Sequence, residues 1–100
     1  MNVQFKTDRL RQCYESLREG TREWGAKAAR VYVLRVNQLF GATDAQALRS
    51  LRSLRLHALG GARKGQHAIW IDEFYRLIVK FQDKATTVVR IEEVSKHYDD

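Results

Sequence analysis

Histidines and cations are concentrated in the stretch RLHALGGARKGQHAIWIDEFYR, residues 55–76, while no Asp or Glu occurs from Ala45 to Ile71. The residues of interest are His57, His67, Arg63, Lys64 and Arg76. An imidazole exchanges protons near neutral pH because its ordinary pKa is about 6.5, and an arginine binds two phosphate oxygens at once. These residue types predict acid–base chemistry on a phosphodiester.

RNA is the phosphodiester that such groups can cleave without a metal ion, because it carries its own nucleophile, the 2′-hydroxyl. A base must remove the proton of that hydroxyl, an acid must protonate the leaving 5′-oxygen, and cations must stabilise the charge that develops. Each histidine also has a structural interpretation. His57 and His67 can be side chains packed within strands, and His97 can be a solvated residue of a polar tail.

Other chemistries lack their sequence patterns. The three histidines are far apart, and no HxxxH, CxxC or clustered carboxylate pattern accompanies them, which argues against a metal site. GGARKG lacks the GK[ST] and the following helix of a phosphate-binding loop, and no nucleophile-elbow sequence occurs. We therefore expect no cofactor and no metal.

Length and composition limit the kind of protein. One hundred residues predict a single domain spanning residues 1–100, and no apolar run reaches the roughly 18 residues of a membrane span. MNVQFKTDRLRQ has charges where a signal peptide is apolar, which favours a cytoplasmic location without membrane contact. The lone Cys13 predicts a buried thiol, and the net charge of +6 predicts a polyanionic partner, either nucleic acid or an acidic protein.

The first half of the chain has helical periodicity after a short edge strand, NVQFK. Asp8 is expected to cap a helix that ends at Gly20, and a second amphipathic helix is expected from Thr21 to Phe40, followed by Gly41. The pattern thus predicts an N-terminal helical hairpin. A short third helical segment is predicted with its cap near Thr43 or Asp44.

The second half alternates with a period of two. LRLHAL, QHAIWI, FYRLIVKF and TVVRIEEV are strand candidates, with a tight turn at Asp72 and Glu73. The chain is therefore predicted to be α+β, a helical hairpin packed on an antiparallel β-sheet meander. Alternation turns one set of β-strand residues toward the helices: Tyr75, Leu77, Val79 and Phe81. It predicts Arg76 and Arg90 on the exposed side of neighbouring strands.

The second half contains a set of motifs that occur together in one known family. They are Arg55-Leu56-His57-Ala58-Leu59, Gly61, Arg63, Gly65, Tyr75-Arg76 and the acidic–aromatic ending from Glu93 through Tyr98. With these motifs the chain resembles, over about half of its length, the HigB-type toxins of the RelE/ParE superfamily of bacterial toxin–antitoxin systems. The resemblance implies a ribosome-dependent messenger-RNA endonuclease that inhibits translation. It also implies a HigA-like helix-turn-helix antitoxin as partner, with operator DNA bound only through that antitoxin.

The resemblance also implies roles for particular residues. His57, Arg76 and His97 are the catalytic candidates, and the candidates for binding RNA or phosphate are Arg55, Arg63, Lys64, Arg90 and Tyr98. Many relatives carry a lysine where this chain has Gly60, and Lys64 is expected to supply that charge from across the loop. The chain ends in SKHYDD rather than Asp-Tyr-His, so the acid and the base stay unassigned among His57, His97 and Tyr98.

Two other functions are compatible with the same fold. A ParE-like toxin inhibits DNA gyrase by binding and without chemistry, and an inactive binding domain would use its basic face only to hold an acidic antitoxin. ParE relatives generally lack the His and Arg set, so the presence of His57 together with Arg76 favours the nuclease.

Overall fold

The chain opens with a strand, continues through helices and ends in antiparallel strands. The structure, a computed structural model, describes residues 1–96. The elements are β1 (Asn2–Phe5), α1 (Asp8–Glu15), α2 (Leu17–Trp24), α3 (Ala26–Gly41), α4 (Ala45–Arg49), β2 (His57–Ala58), β3 (His67–Trp70), β4 (Tyr75–Phe81) and β5 (Val88–Lys96). Two short 3₁₀ turns, Arg52–Leu54 and Gly61–Arg63, flank β2. The α+β class predicted from the sequence is confirmed.

The sheet is mixed rather than purely antiparallel. Its order is β1-β5-β4-β3-β2. Strands β2 to β5 form the predicted antiparallel meander, and β1 is an edge strand as predicted, but it pairs with β5 in parallel. The parallel pairing corrects the predicted all-antiparallel sheet. The two strands run in the same direction because an odd number of alternating strands, β2 to β4, lies between them along the chain. The helices join the end of β1 to the start of β2.

The predicted helical hairpin is not confirmed, because three helices occupy its place. The first break is at Ser16, whose hydroxyl caps α2 by accepting from the amide of Glu19. The second is at Gly25, whose φ of 85° lies in the left-handed region that glycine adopts readily. Gly20, predicted as a helix stop, lies inside α2, where an added Cβ would come within 3.1 Å of the Cβ of Ala29. Gly20 therefore permits α2 to approach α3 closely.

Side-chain caps define the other turns. Thr7, rather than the predicted Asp8, caps α1 by accepting from the amide of Leu10 at 3.2 Å. Asp44 caps α4 by accepting from the amide of Ala47 at 3.0 Å, which confirms that prediction. In the predicted turn between β3 and β4, Asp72 Oδ1 accepts from the amides of Phe74 and Tyr75, each at 2.8 Å. This Asx turn starts β4 at Tyr75.

The core lies between the helices and one face of the sheet. The apolar side chains of β4 that were predicted to face the helices do so: Leu77 and Val79 are fully buried, and Tyr75 and Phe81 pack against the same cluster. Cys13 is buried in this core, as predicted. Within residues 1–96, no helix combines the length and apolar character of a membrane span.

The pairing of β4 with β5 contains a β-bulge that changes which side chains share a face. Ile78 lies opposite Glu93, whereas the next residue, Val79, lies opposite Ile91. Glu92 is therefore an extra residue in β5. Beyond the bulge the alternation is reversed, so Glu93 shares the face of Ile78 that lies away from the helices, and Val94 packs against the core.

Candidate active site

A cleft of about 660 Å³ opens on the sheet face opposite the helices. Its wall is formed by β2, the loop after it and one residue of β4: His57, Ala58, Leu59, Gly60, Ala62, Arg63 and Arg76. None of these lining side chains is acidic. The structure thus brings together one imidazole and two guanidinium groups that the sequence analysis selected.

A second cavity of about 230 Å³ adjoins this cleft. Its lining residues are Arg55, His57, Ala68, Ile69, Trp70 and Arg76. His57 and Arg76 belong to both linings, so they stand at the junction of the two spaces. We refer to the larger space as the cleft and to the smaller one as the side cavity.

His57 is exposed at the edge of the sheet in the two-residue strand β2. Its Nδ1 lies 2.8 Å from the carbonyl oxygen of Arg55. A carbonyl oxygen only accepts, so Nδ1 must carry the proton of this hydrogen bond. In the neutral ring the other nitrogen, Nε2, then holds the lone pair and is the atom able to accept a proton.

The backbone around Arg55 explains why the predicted strand LRLHAL is shorter than expected. Arg52–Leu54 form a 3₁₀ turn, and Arg55 ends it with φ 48° and ψ 41°, the left-handed conformation. This conformation is unusual for a residue with a side chain. Arg55 is exposed, and its guanidinium carbon lies 4.2 Å from the ring centroid of Trp70, a cation–π contact.

Arg76 lies on the predicted face of β4 but is not exposed. It pairs with Trp70 of β3 and Ser95 of β5, and only 4% of its surface is accessible. The predicted exposure was wrong because alternation identifies the face of a strand but not what covers that face. A buried guanidinium has few alternative orientations, so Arg76 presents a positioned cation to both spaces.

Arg63 is held at the rim of the cleft by two partners. Its side chain donates to Gln66 Oε1 at 3.1 Å and forms an ion pair with Glu93 at 3.0 Å. Gly65, with φ 93°, turns the chain directly after this basic loop, which favours glycine at that position. Glu93 therefore occupies one side of the Arg63 guanidinium at the rim.

Two predicted phosphate contacts are not brought to the cleft. Lys64 is exposed on the loop but is not among the lining residues. Arg90 lies opposite Lys80, four residues along β4 from Arg76, or about 13 Å at the rise of a strand. It is also paired with Glu92, at 2.5 Å. Alternation placed Arg90 on the correct face but could not show its distance from the site.

His67 lies on the other face of the sheet. It pairs with Val79 and packs edge-on against the ring of Phe81, with centroids 5.1 Å apart. Burial lowers the pKa of His67, and the charges of Arg49 and His57 lower it further. Its Nδ1 is buried and has no hydrogen-bond partner within residues 1–96. These features are those of a packed, neutral imidazole, the structural interpretation given above.

Sequence reasoning missed three residues that shape the site. Trp70 forms a wall of the side cavity, and an interior-strand tryptophan is ordinarily assigned to the core. Glu93 reaches Arg63 only because of the bulge in β5. Arg35 of α3 is 6% exposed and donates to the carbonyl oxygens of Trp70, at 2.7 Å, and Ser53, at 3.2 Å. The helical position of Arg35 among apolar residues was the one available signal.

His97 and Tyr98, the remaining predicted site residues, lie outside the described residues. Within residues 1–96, no three side chains of His, Cys, Asp or Glu are grouped as metal ligands. The described part of the site therefore consists of His57, Arg55, Arg63, Arg76 and Trp70.

Comparisons of the sequence match no protein-family model and no curated protein. Solved structures do match over nearly the whole chain. YafQ from E. coli strain BL21(DE3) has a TM-score of 0.61 at 16% identity, covering 96% of this chain and 92% of its own. The YoeB/ParE toxin from Agrobacterium tumefaciens has a TM-score of 0.59 at 17% identity, covering 98% and 100%.

The toxin–antitoxin complex RelBE2 from Mycobacterium tuberculosis is also similar, with a TM-score of 0.53 at 21% identity, covering 96% of both chains. At such identities the likeness concerns the fold. The chain therefore has the fold of the RelE/ParE-like toxins, as the sequence resemblance implied.

Proposed function

We propose that this protein is the toxin of a type II toxin–antitoxin system and that it cleaves messenger RNA on the ribosome without a metal ion. The observation that carries the proposal is the cleft that joins His57 to Arg63 and Arg76 with no acidic side chain in its lining. A positive, concave surface of this kind suits a phosphodiester, whose oxygens are all acceptors. The fold of the neighbouring toxins supports the toxin role.

His57 is the proposed general base. Its Nδ1 proton is engaged by the carbonyl oxygen of Arg55, so Nε2 can accept the proton of a 2′-hydroxyl. The 2′-oxygen then forms a bond to phosphorus as the bond from phosphorus to the 5′-oxygen breaks. The products are a 2′,3′-cyclic phosphate and a 5′-hydroxyl. A positioned base of this kind contributes about 10²–10⁴ in rate.

The two arginines are proposed to stabilise the transition state. Arg76 is buried, so its charge acts where water screens it least, and Arg63 at the rim would bind the non-bridging oxygens. The HigB resemblance implies that His97 is a second acid–base group. With His57 as the base, His97 is the proposed acid that protonates the leaving 5′-oxygen, and Tyr98 is a proposed further RNA contact. Arg55 is proposed to contact the adjoining nucleotide.

The ribosome is the proposed source of substrate orientation. The cleft lies on an open sheet face, and its few cations do not by themselves hold a flexible single strand in line for attack. A ribosome that presents the message in a fixed geometry would remove that entropic cost. Free RNA is therefore expected to be nearly inert, and added EDTA to have no effect.

The proposed partner is a HigA-like helix-turn-helix antitoxin, acting with this toxin in the cytoplasm. It would cover the positive face with acidic residues or keep the protein from the ribosome. Operator DNA would be bound through the antitoxin, and a footprint made by the isolated toxin would contradict this division of labour.

Expression of the isolated protein under a tightly controlled promoter tests the proposal. Growth arrest is expected, with primer extension locating cuts inside translated messages. His57→Ala and Arg76→Ala should abolish the cuts, whereas Arg30→Ala, an exposed arginine of α3, is the matched control that should retain them. Growth arrest with intact messages and inhibited supercoiling would instead support the ParE-like alternative. Vigorous cleavage of free RNA that EDTA abolishes would contradict the mechanism.

A further inference from the structure

The side cavity has a composition that the cleavage step does not require. Its walls combine a flat aromatic ring, that of Trp70, with Ala68 of the same strand, β3. Ile69 lies between them in the lining, but its own side chain is packed in the core on the helix side. The guanidinium of Arg55 lies over the ring at 4.2 Å. Aromatic rings beside cations are the surfaces on which proteins stack unpaired bases.

The size of the side cavity suits one ring system. Its volume of about 230 Å³ lies below the roughly 300–1,000 Å³ of sites for drug-sized ligands. Because the side cavity and the cleft share His57 and Arg76, a group in one space lies directly beside a group in the other. A base and the phosphate next to it in the chain have this relation.

We propose that the side cavity binds one nucleobase of the RNA, stacked on Trp70 beside the scissile phosphate. The inference rests on the proposed function for the neighbouring phosphate. The base takes the place of the Arg55 guanidinium over the ring, and the displaced guanidinium turns to the RNA backbone. This exchange is favourable because base stacking on an aromatic ring is stronger than a cation–π contact at an exposed site.

The backbone of the platform is fixed independently of its ring. Arg35 Nε donates to the carbonyl oxygen of Trp70 at 2.7 Å, a bond that does not involve the indole. Replacing the side chain of Trp70 should therefore leave β3 in place. Trp70→Phe keeps an aromatic surface and Trp70→Leu removes it, which makes the two variants a matched pair.

Fluorescence of Trp70 measures the stacking directly. The chain has two tryptophans, and Trp24→Phe leaves Trp70 as the reporter while retaining an aromatic ring against Tyr32. The protein is titrated with 2′-O-methyl trinucleotides, which it cannot cleave, and with the same trinucleotides made abasic at one position. We expect quenching, and we expect an abasic residue at one particular position to weaken binding by about 5- to 150-fold.

The activity arm uses ribosomes programmed with a message that the parent cleaves. Trp70→Leu should weaken cleavage by a similar factor, Trp70→Phe should restore most of it, and both variants should melt near the parent temperature. Equal quenching by intact and abasic trinucleotides, or no quenching up to millimolar concentration, would overturn the base site even if the parent cleaves RNA. Selective quenching by a parent that cleaves no message would retain the base site and refute the nuclease.

Discussion

His57 and His67 lie on neighbouring strands but on opposite faces of the sheet. His57 is exposed, lines both the cleft and the side cavity, and has one nitrogen engaged by a backbone carbonyl. His67 packs against Phe81 on the helix side, where burial lowers its pKa. The same residue type thus has the surroundings of an acid–base group on one face and of a core side chain on the other.

The buried arginines repeat this contrast. Arg35 is directed from α3 to backbone carbonyls at 2.7 and 3.2 Å and to Gln38, and burial lowers the pKa of its guanidinium. Arg76 is equally buried but lines the two spaces of the site. Burial alone therefore does not distinguish a structural arginine from a candidate site residue. Arg76 is the candidate because it lines the cleft and the side cavity.

Removing the exposed imidazole should have the largest effect. His57→Ala is expected to reduce cleavage on programmed ribosomes by about 10²–10⁴, because no other described side chain in the cleft can accept the proton. His67→Phe, on the opposite face, should keep cleavage within a small factor of the parent. Single-turnover cleavage rates of the two variants test this. Similar losses of rate would contradict the assignment of His57 to the site and of His67 to the core.

Removing Arg76, the buried arginine of the site, should have the second-largest effect on cleavage. Arg76→Ala is expected to reduce cleavage by about 10²–10³, the usual consequence of losing one positioned charge contact in a transition state. Arg76→Lys should recover only part of the rate, because an ammonium retains the charge without the fork. Because Arg76 is buried, thermal melting must accompany the assay. Loss of activity that appears only above the melting temperature of the variant would assign Arg76 to stability.

Replacing Arg35, the structural arginine, should reduce the stability of the fold. Arg35→Leu removes the hydrogen-bond donor of two carbonyl oxygens, those of Trp70 and Ser53. Leaving a buried acceptor without a donor costs about 1–3 kcal/mol, so the free energy of unfolding should fall by about 2–6 kcal/mol. Arg30→Leu, on the exposed face of the same helix, is the control and should change little. Urea unfolding monitored by circular dichroism gives both values. A stability of Arg35→Leu equal to that of the parent would contradict the role.

A smaller effect is expected at the rim of the cleft. Glu93→Gln removes the carboxylate that occupies Arg63, and an exposed ion pair is worth about 0.2–1 kcal/mol. The KM for programmed ribosomes should therefore fall by up to about fivefold, since tenfold corresponds to about 1.4 kcal/mol. The kcat should not fall, because the freed Arg63 is proposed to bind the same phosphate oxygens in the transition state. A rise in KM would mean that Glu93 orients Arg63 rather than competing for it.

The smallest effect should be the dependence of stability on pH through His67. Its pKa is lowered in the folded state, so the unfolded chain binds the proton more readily. The stability due to neutral His67 is complete above about pH 6.5, the unfolded value, and is lost as the pH falls below it. Melting temperatures of the parent and His67→Phe at pH 7.5 and 5.0 test this. The melting temperature of the parent should fall more between pH 7.5 and pH 5.0 than that of His67→Phe.

Local pattern was sufficient for much of the fold. The alternation in FYRLIVKF identified which side chains face the helices. Residue type alone predicted the turn at Asp72 and limited the cap of α4 to Thr43 or Asp44, and the structure shows Asp44. The breaks at Ser16 and Gly25 were missed because the apolar periodicity continues across both. Gly20 was misread because a glycine needed for close packing against Ala29 has the same sequence signal as a helix stop.

Residue types and their density also determined the chemistry that this chain can offer: imidazoles and guanidinium groups in a stretch without carboxylates. Which of them meet was decided by tertiary structure. The β5 bulge brings Glu93 to Arg63, 30 positions away, and strand length separates Arg90 from Arg76. Alternation depends only on neighbours along the chain, whereas register, bulges and burial depend on contacts between segments distant in sequence.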